Sequence, residues 1–76
     1  MTYRELDTVV VTKDLPAHGL KRGDVGAVVH VYSPTALEVE FVTAAGSTQA
    51  LVTLGTDSLR PVGRRDLLAV RQLDAA

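Results

Sequence analysis

The chain contains no cysteine, no tryptophan and no isoleucine. Without cysteine it has neither a disulfide framework nor a thiolate zinc site to reinforce a small fold. Aromatic side chains are scarce as well, and Tyr3, Tyr32 and Phe41 are all there are. Three rings are too few for a base-stacking platform, or for the multi-aromatic groove that grips proline-rich peptides. Neither sign of charge dominates, since 8 Lys and Arg stand against 9 Asp and Glu for a formal net of −1. That balance argues against a chain whose main task is coating nucleic acid or anionic membrane. No apolar run approaches the ~20 residues of a membrane span. The start, Met1-Thr2-Tyr3-Arg4-Glu5, lacks the apolar core of a signal peptide. The expectation is a cytoplasmic protein without membrane contact. With 76 residues it is expected to form one domain that buries about 60% of its unfolded surface.

What is present is β-branched. Valine is the commonest residue, at 12, and threonine adds 8, a composition that suits pleated surfaces better than helices. The first strand is predicted over Asp7–Thr12, with Val9 and Val11 facing one way and Thr8, Val10 and Thr12 the other. A long punctuated loop follows over 13–24. Pro16 fixes a turn there, Gly19 and Gly23 supply positive φ, and Leu15 with Leu20 form the apolar plug that such a loop needs. The second strand, Val25–Tyr32, carries Gly26 near its start, the mark of a bulge or a close backbone approach. After the turn Ser33-Pro34-Thr35 comes the third strand, Leu37–Thr43, with the cleanest alternation in the chain. Leu37, Val39 and Phe41 point inward, and Glu38 and Glu40 point to water. Ala44-Ala45-Gly46-Ser47 reads as a four-residue hairpin loop with Gly46 left-handed, leading into a fourth strand, Thr48–Leu54. Residues 55–58 form a turn that can tighten into a 3₁₀ turn before a short fifth strand, Leu59–Val62. Pro61 confines that strand to an edge or an end.

Five short strands with tight turns specify an antiparallel arrangement, because parallel pairing needs crossover helices for which there is no sequence. A sheet this small must curl to make a core. The fold class expected is all-β, a five-stranded antiparallel SH3-like barrel over about 5–62. The C-terminal segment 63–76 follows it as a short tail, a helical turn or extended chain. An OB-type barrel is the alternative, though it usually needs longer strands and a helix between the third and fourth. In the tail, Asp66 can cap a helical turn carrying Leu67, Val70 and Leu73, and a short helix or turn leading into extended chain is expected.

With the strands placed, residues 19–32, Gly-Leu-Lys-Arg-Gly-Asp-Val-Gly-Ala-Val-Val-His-Val-Tyr, resemble the Lys/Arg-Gly-x-x-Gly-x-Val-x-x-Val pattern of KOW-type and other SH3-like modules. A wider set of segments resembles the short bacterial proteins catalogued as domain of unknown function 4926. These are Glu-Leu-Asp-Thr-Val-Val (5–10), Asp-Leu-Pro-x-x-Gly-Leu (14–20), Arg-Gly-Asp-Val-Gly-Ala-Val-Val (22–29) and Glu-Val-Glu-Phe (38–41). The Gly46 hairpin and Leu-Arg-Pro-Val (59–62) agree in order and spacing, so the resemblance covers about 5–73. It implies a stand-alone SH3-like protein with an accessory, antitoxin- or immunity-like role beside a toxin or enzyme encoded nearby. It supplies no catalytic residues.

The residues themselves point to a binding protein and not to an enzyme. Glu38 and Glu40 share an outer strand face with no pocket to shift a pKa. His18 and His30 have no ligand spacing for zinc. Ser33, Ser47 and Ser58 lie in predicted turns without a nucleophile elbow. The glycines match no phosphate-cradling or dinucleotide motif. No cofactor or metal is expected. The candidate partner-binding residues are His18, Lys21 and Arg22 of the long loop, Tyr32 beside the Ser33 turn, and Arg60, Arg64 and Arg65 near the C-terminus. A protein partner is the first expectation, met at the long loop and hairpin tips, or by pairing along a strand edge or with the C-terminal segment. Edge pairing leaves self-association into a homo-oligomer open. The alternative is KOW-like contact with nucleic acid through Lys21, Arg22, Arg60, Arg64 and Arg65, whose field Asp14, Asp24, Asp57 and Asp66 dilute.

Overall fold

In the computed structural model, which describes residues 2–73, the β-branched segments form five strands. They are β1 (Thr8–Val11), β2 (Val25–Ser33), β3 (Ala36–Val42), β4 (Thr48–Gly55) and β5 (Leu59–Pro61), with single 3₁₀ turns at Pro16–His18 and Thr56–Ser58. Every pairing is antiparallel, in the order β4-β3-β2-β1-β5. The outer strands β4 and β5 are not joined to each other, so the sheet is open and not a closed barrel. The three-residue β5 ends at Pro61, which has no N–H to give to a further ladder.

The long strand β2 does two jobs. Its first residues, Val25–Ala27, pair with β1, and from Ala27 onward it pairs with β3. Register shifts at Val28/His30 and Val31/Ser33 bend it along the way, as bulges do. Gly26, ahead of these shifts, sits where β2 passes close against β3. A Cβ there would lie 2.7 Å from Val39 Cγ1, 2.8 Å from Phe41 Cε2 and 2.9 Å from the Glu40 carbonyl oxygen. The close approach expected of Gly26 is therefore the correct alternative, and the bulges fall further along the strand.

The core follows the alternation. Val9 and Val11 of β1, Val28 of β2, and Leu37, Val39 and Phe41 of β3 form one buried cluster with Leu20, Leu54 and Leu59. Leu20 enters it from the long loop, where Leu15 and Leu20 bridge each other. Val10 faces away from that cluster and is nonetheless buried. Gly46 has φ 84° at the β3–β4 hairpin, as its place in the loop demands.

Glu38 and Glu40 do face outward, but they are half-buried and not freely solvated. Tyr32 Oη donates to Glu38 at 3.1 Å and Thr48 Oγ1 donates to Glu40 at 2.7 Å. Past β5 the chain turns at Arg64 and Arg65 and then runs without regular structure to residue 73. No helix of the described residues is long and apolar enough to cross a membrane.

Candidate interaction groove

The long loop between β1 and β2 is built around Asp24. Asp24 N–H donates to the Lys21 carbonyl, Lys21 N–H donates back to Asp24 Oδ2 at 2.8 Å, and Val11 N–H donates to the Asp24 carbonyl. The carboxylate is thus fixed by local backbone. At the loop's tip, Gly19 is left-handed (φ 67°) and caps the Pro16–His18 turn. This orientation leaves the Gly19 carbonyl available to a side chain from far along the sequence.

That side chain is Arg71. Its Nε donates to Asp24 Oδ1 at 2.7 Å, and one terminal nitrogen donates both to Asp24 Oδ2 at 2.8 Å and to the Gly19 carbonyl at 3.0 Å. Two N–H groups on two carboxylate oxygens is the fork geometry that guanidinium makes and ammonium cannot. The Arg71 guanidinium holds the Asp24 carboxyl below its ordinary range; partial burial opposes this and the Lys21 amide adds to it. The Asp24 side chain is only 15% exposed.

Held at Arg71, the segment 69–73 runs as a strap across the space between the long loop and the β3–β4 hairpin. Two adjoining hollows, of about 470 and 460 Å³, lie along it, and Leu20, Gln49, Arg71 and Leu73 wall both. The floor of the first includes the edge of Phe41. The second is bounded by Asp14, Pro16 and Lys21.

Of the residues singled out from sequence, Lys21 alone lines this groove. His18 is exposed on the 3₁₀ turn, and Arg22 is exposed with its N–H on Asp14 Oδ1. Tyr32 stands on the outer face of the sheet, its ring edge-on to His30 at 4.5 Å. Arg60 is turned to Asp66, with its two terminal nitrogens on the two carboxylate oxygens at 2.8 and 3.1 Å. The guanidinium, with the Gly63 N–H, holds the Asp66 carboxyl below its usual range. Arg64 and Arg65 are exposed on the adjoining turn and make no ion pair among the described residues. Of the candidate basic residues, Lys21 and Arg22 thus belong to the long loop, and Arg60, Arg64 and Arg65 to β5 and the turn after it.

Sequence reasoning named the long loop but missed Asp24 and Arg71 as a pair. Forty-seven positions separate them, and no local spacing records such a contact. Among the described residues no group of three or more His, Asp or Glu is placed to hold a metal ion.

A family model described as a domain of unknown function (DUF4926) matches residues 5–61. No curated protein and no solved structure matches the chain.

Proposed function

The chain belongs to the DUF4926 family, and from that premise we propose that it is a cytoplasmic, non-enzymatic protein-interaction module. In this reading it acts as an accessory, antitoxin- or immunity-like partner of a neighbouring gene product. Its frame is read as an SH3-like barrel left open between β4 and β5. The strand order and the bent β2, shared between β1 and β3, support that frame.

The observation that carries the functional reading is the groove between the long loop and the β3–β4 hairpin, with a peptide segment already seated in it by Arg71. A surface that holds an extended segment through a fixed carboxylate and a carbonyl has what recognition of a protein strand requires. Nucleic-acid contact is less well supported. Arg60 is engaged by Asp66, and the backbone at Lys21 and Arg22 is held by Asp24 and Asp14. The exposed cations Lys21, Arg22, Arg64 and Arg65 belong to two segments, the long loop and the turn after β5, with Asp14 and Asp24 beside the first pair.

Co-expression with the product of the adjacent open reading frame, followed by tag pull-down, tests the proposal. The expected result is a stable complex whose formation perturbs the amide signals of Leu20 and Gln49. Failure to co-purify, or a complex that leaves both signals unmoved, would overturn it.

A further inference from the structure

Asp24 and Gly19, which accept from Arg71, lie within residues 5–61, the part matched by the family model, and Arg71 itself lies beyond it. These two acceptors are positioned without the tail. Asp24 is oriented by Lys21 N–H and by its own backbone bonds to the long loop and to β1. Gly19 is oriented by the 3₁₀ turn it caps. Two acceptors fixed in this way form a site for a guanidinium, whichever chain supplies it.

The present occupant fits that site only in part. Val70 is fully exposed and Leu67 is 92% exposed, so the side chains around Arg71 contribute little burial. Leu73 walls both hollows yet remains 37% exposed, and among the described residues no side chain fills the hollows beside it. A larger apolar side chain two residues beyond the arginine would remove more surface from water than Leu73 does. The tail holds its place through Arg71 and through its tether. The turn it springs from is braced by Asp66, which accepts from Gly63 N–H at 2.6 Å and from Arg60. A short connection from that turn carries residues 69–73, and a tether that short gives an effective concentration on the order of millimolar.

Resting on the reading of the chain as an interaction module, we infer that this groove recognises an extended segment of another protein bearing an arginine followed, two residues on, by a bulky apolar side chain. Residues 69–73 are its resident, displaceable strap. A second copy of the chain is not the occupant. Its tail would bring the same side chains to the same hollows and gain nothing over the tethered one. The strap sets a threshold: a segment that merely reproduces the tail loses to it, and one that fills the hollow displaces it.

The test uses the full chain and a fluorescent peptide with the sequence of residues 67–73 carrying Leu73→Phe. Arg71→Glu in the protein sets like charge against Asp24 and opens the strap. A strap closed about nine-tenths of the time lowers apparent affinity about tenfold, so the peptide should bind the Arg71→Glu chain at least about tenfold more tightly than wild type. Citrulline or lysine in place of the peptide's arginine should abolish the gain, as should Asp24→Asn added to the Arg71→Glu chain. Thermal unfolding of each variant separates a lost site from a lost fold. In unaltered protein, excess peptide should shift the Gly19 and Asp24 amides and release the Arg71 Hε signal. Equal affinity for wild type and Arg71→Glu, or binding indifferent to the arginine or to Asp24, would overturn the inference. If the neighbouring gene product binds and the peptide fails to compete, this inference falls and the module reading stands. If the peptide binds as described and no neighbour co-purifies, the partner proposed above falls and the groove's specificity stands.

Discussion

A Cβ at Gly26 would stand 2.8 Å from Phe41 Cε2, so the start of β2 lies directly against the largest ring of the core and only a missing side chain lets it do so. The Glu40 carbonyl lies equally close, at 2.9 Å, and backbone in a paired strand cannot rotate aside. Gly26→Ala should therefore destabilise the fold by about 1–3 kcal/mol through overpacking. A urea midpoint equal to that of wild type would show that β3 yields more easily than its pairing implies.

Phe41 is 3% exposed within the cluster. Phe41→Ala should lower stability by roughly 3–5 kcal/mol, a large share for a domain held by about 0.05–0.15 kcal/mol per residue. Equilibrium denaturation measures it. A near-silent variant would mean the ring packs against solvent and not against Val9, Val28 and Val39.

Leu6 has φ 73° while 83% exposed, a left-handed conformation that favours glycine. Nothing is lost from the core by replacing it. Leu6→Gly should be neutral to about 1 kcal/mol more stable, whereas β-branched Leu6→Val should be about 1 kcal/mol less stable. Thermal melts of the pair decide it, and the reverse order would contradict the backbone geometry.

The Asp24–Arg71 bond should respond to acid with a definite sign. Asp24 is held below its ordinary value of 3.8 in the folded chain, so its contribution is complete above that pH. It declines as pH falls through the lower folded value and is gone beneath it. The Arg71 Hε resonance should stay protected from exchange at pH 5 to 7 and be lost in that acid window, and Asp24→Asn should remove the protection at every pH. Protection that persists below the window would place Arg71 on some other acceptor.

Salt dependence separates the two binding readings. A module for protein strands should show no steep loss of affinity for a short single-stranded RNA between low and moderate salt, because it should have little affinity to lose. A steep slope that Arg64→Glu and Arg65→Glu together flatten would favour phosphate contact instead.

The strands were legible because their information is local. Alternation at Leu37, Val39 and Phe41 gives a buried face whatever else the chain does, and Gly46 and Pro61 mark ends by their own backbone limits. Leu20 was legible as a plug for the same reason, since a long loop must bury something. Among the candidate cations Arg60, Arg64 and Arg65 are neighbours in sequence, and among the described residues folding gave only Arg60 an acidic partner. Arg60 went to Asp66, six residues away, whereas Arg71, outside the candidate set, went to Asp24, 47 positions away.

Taken alone, then, the order of residues determined an all-β, five-stranded antiparallel chain with its core on one face of each strand, because side-chain period and turn chemistry act over a few residues. Tertiary structure alone decided that the sheet stays open between β4 and β5, and that the tail lies across the long loop. The reason is that a carboxylate and a guanidinium recognise each other by distance and angle in space, and the chain between them carries no record of how it will bring them there.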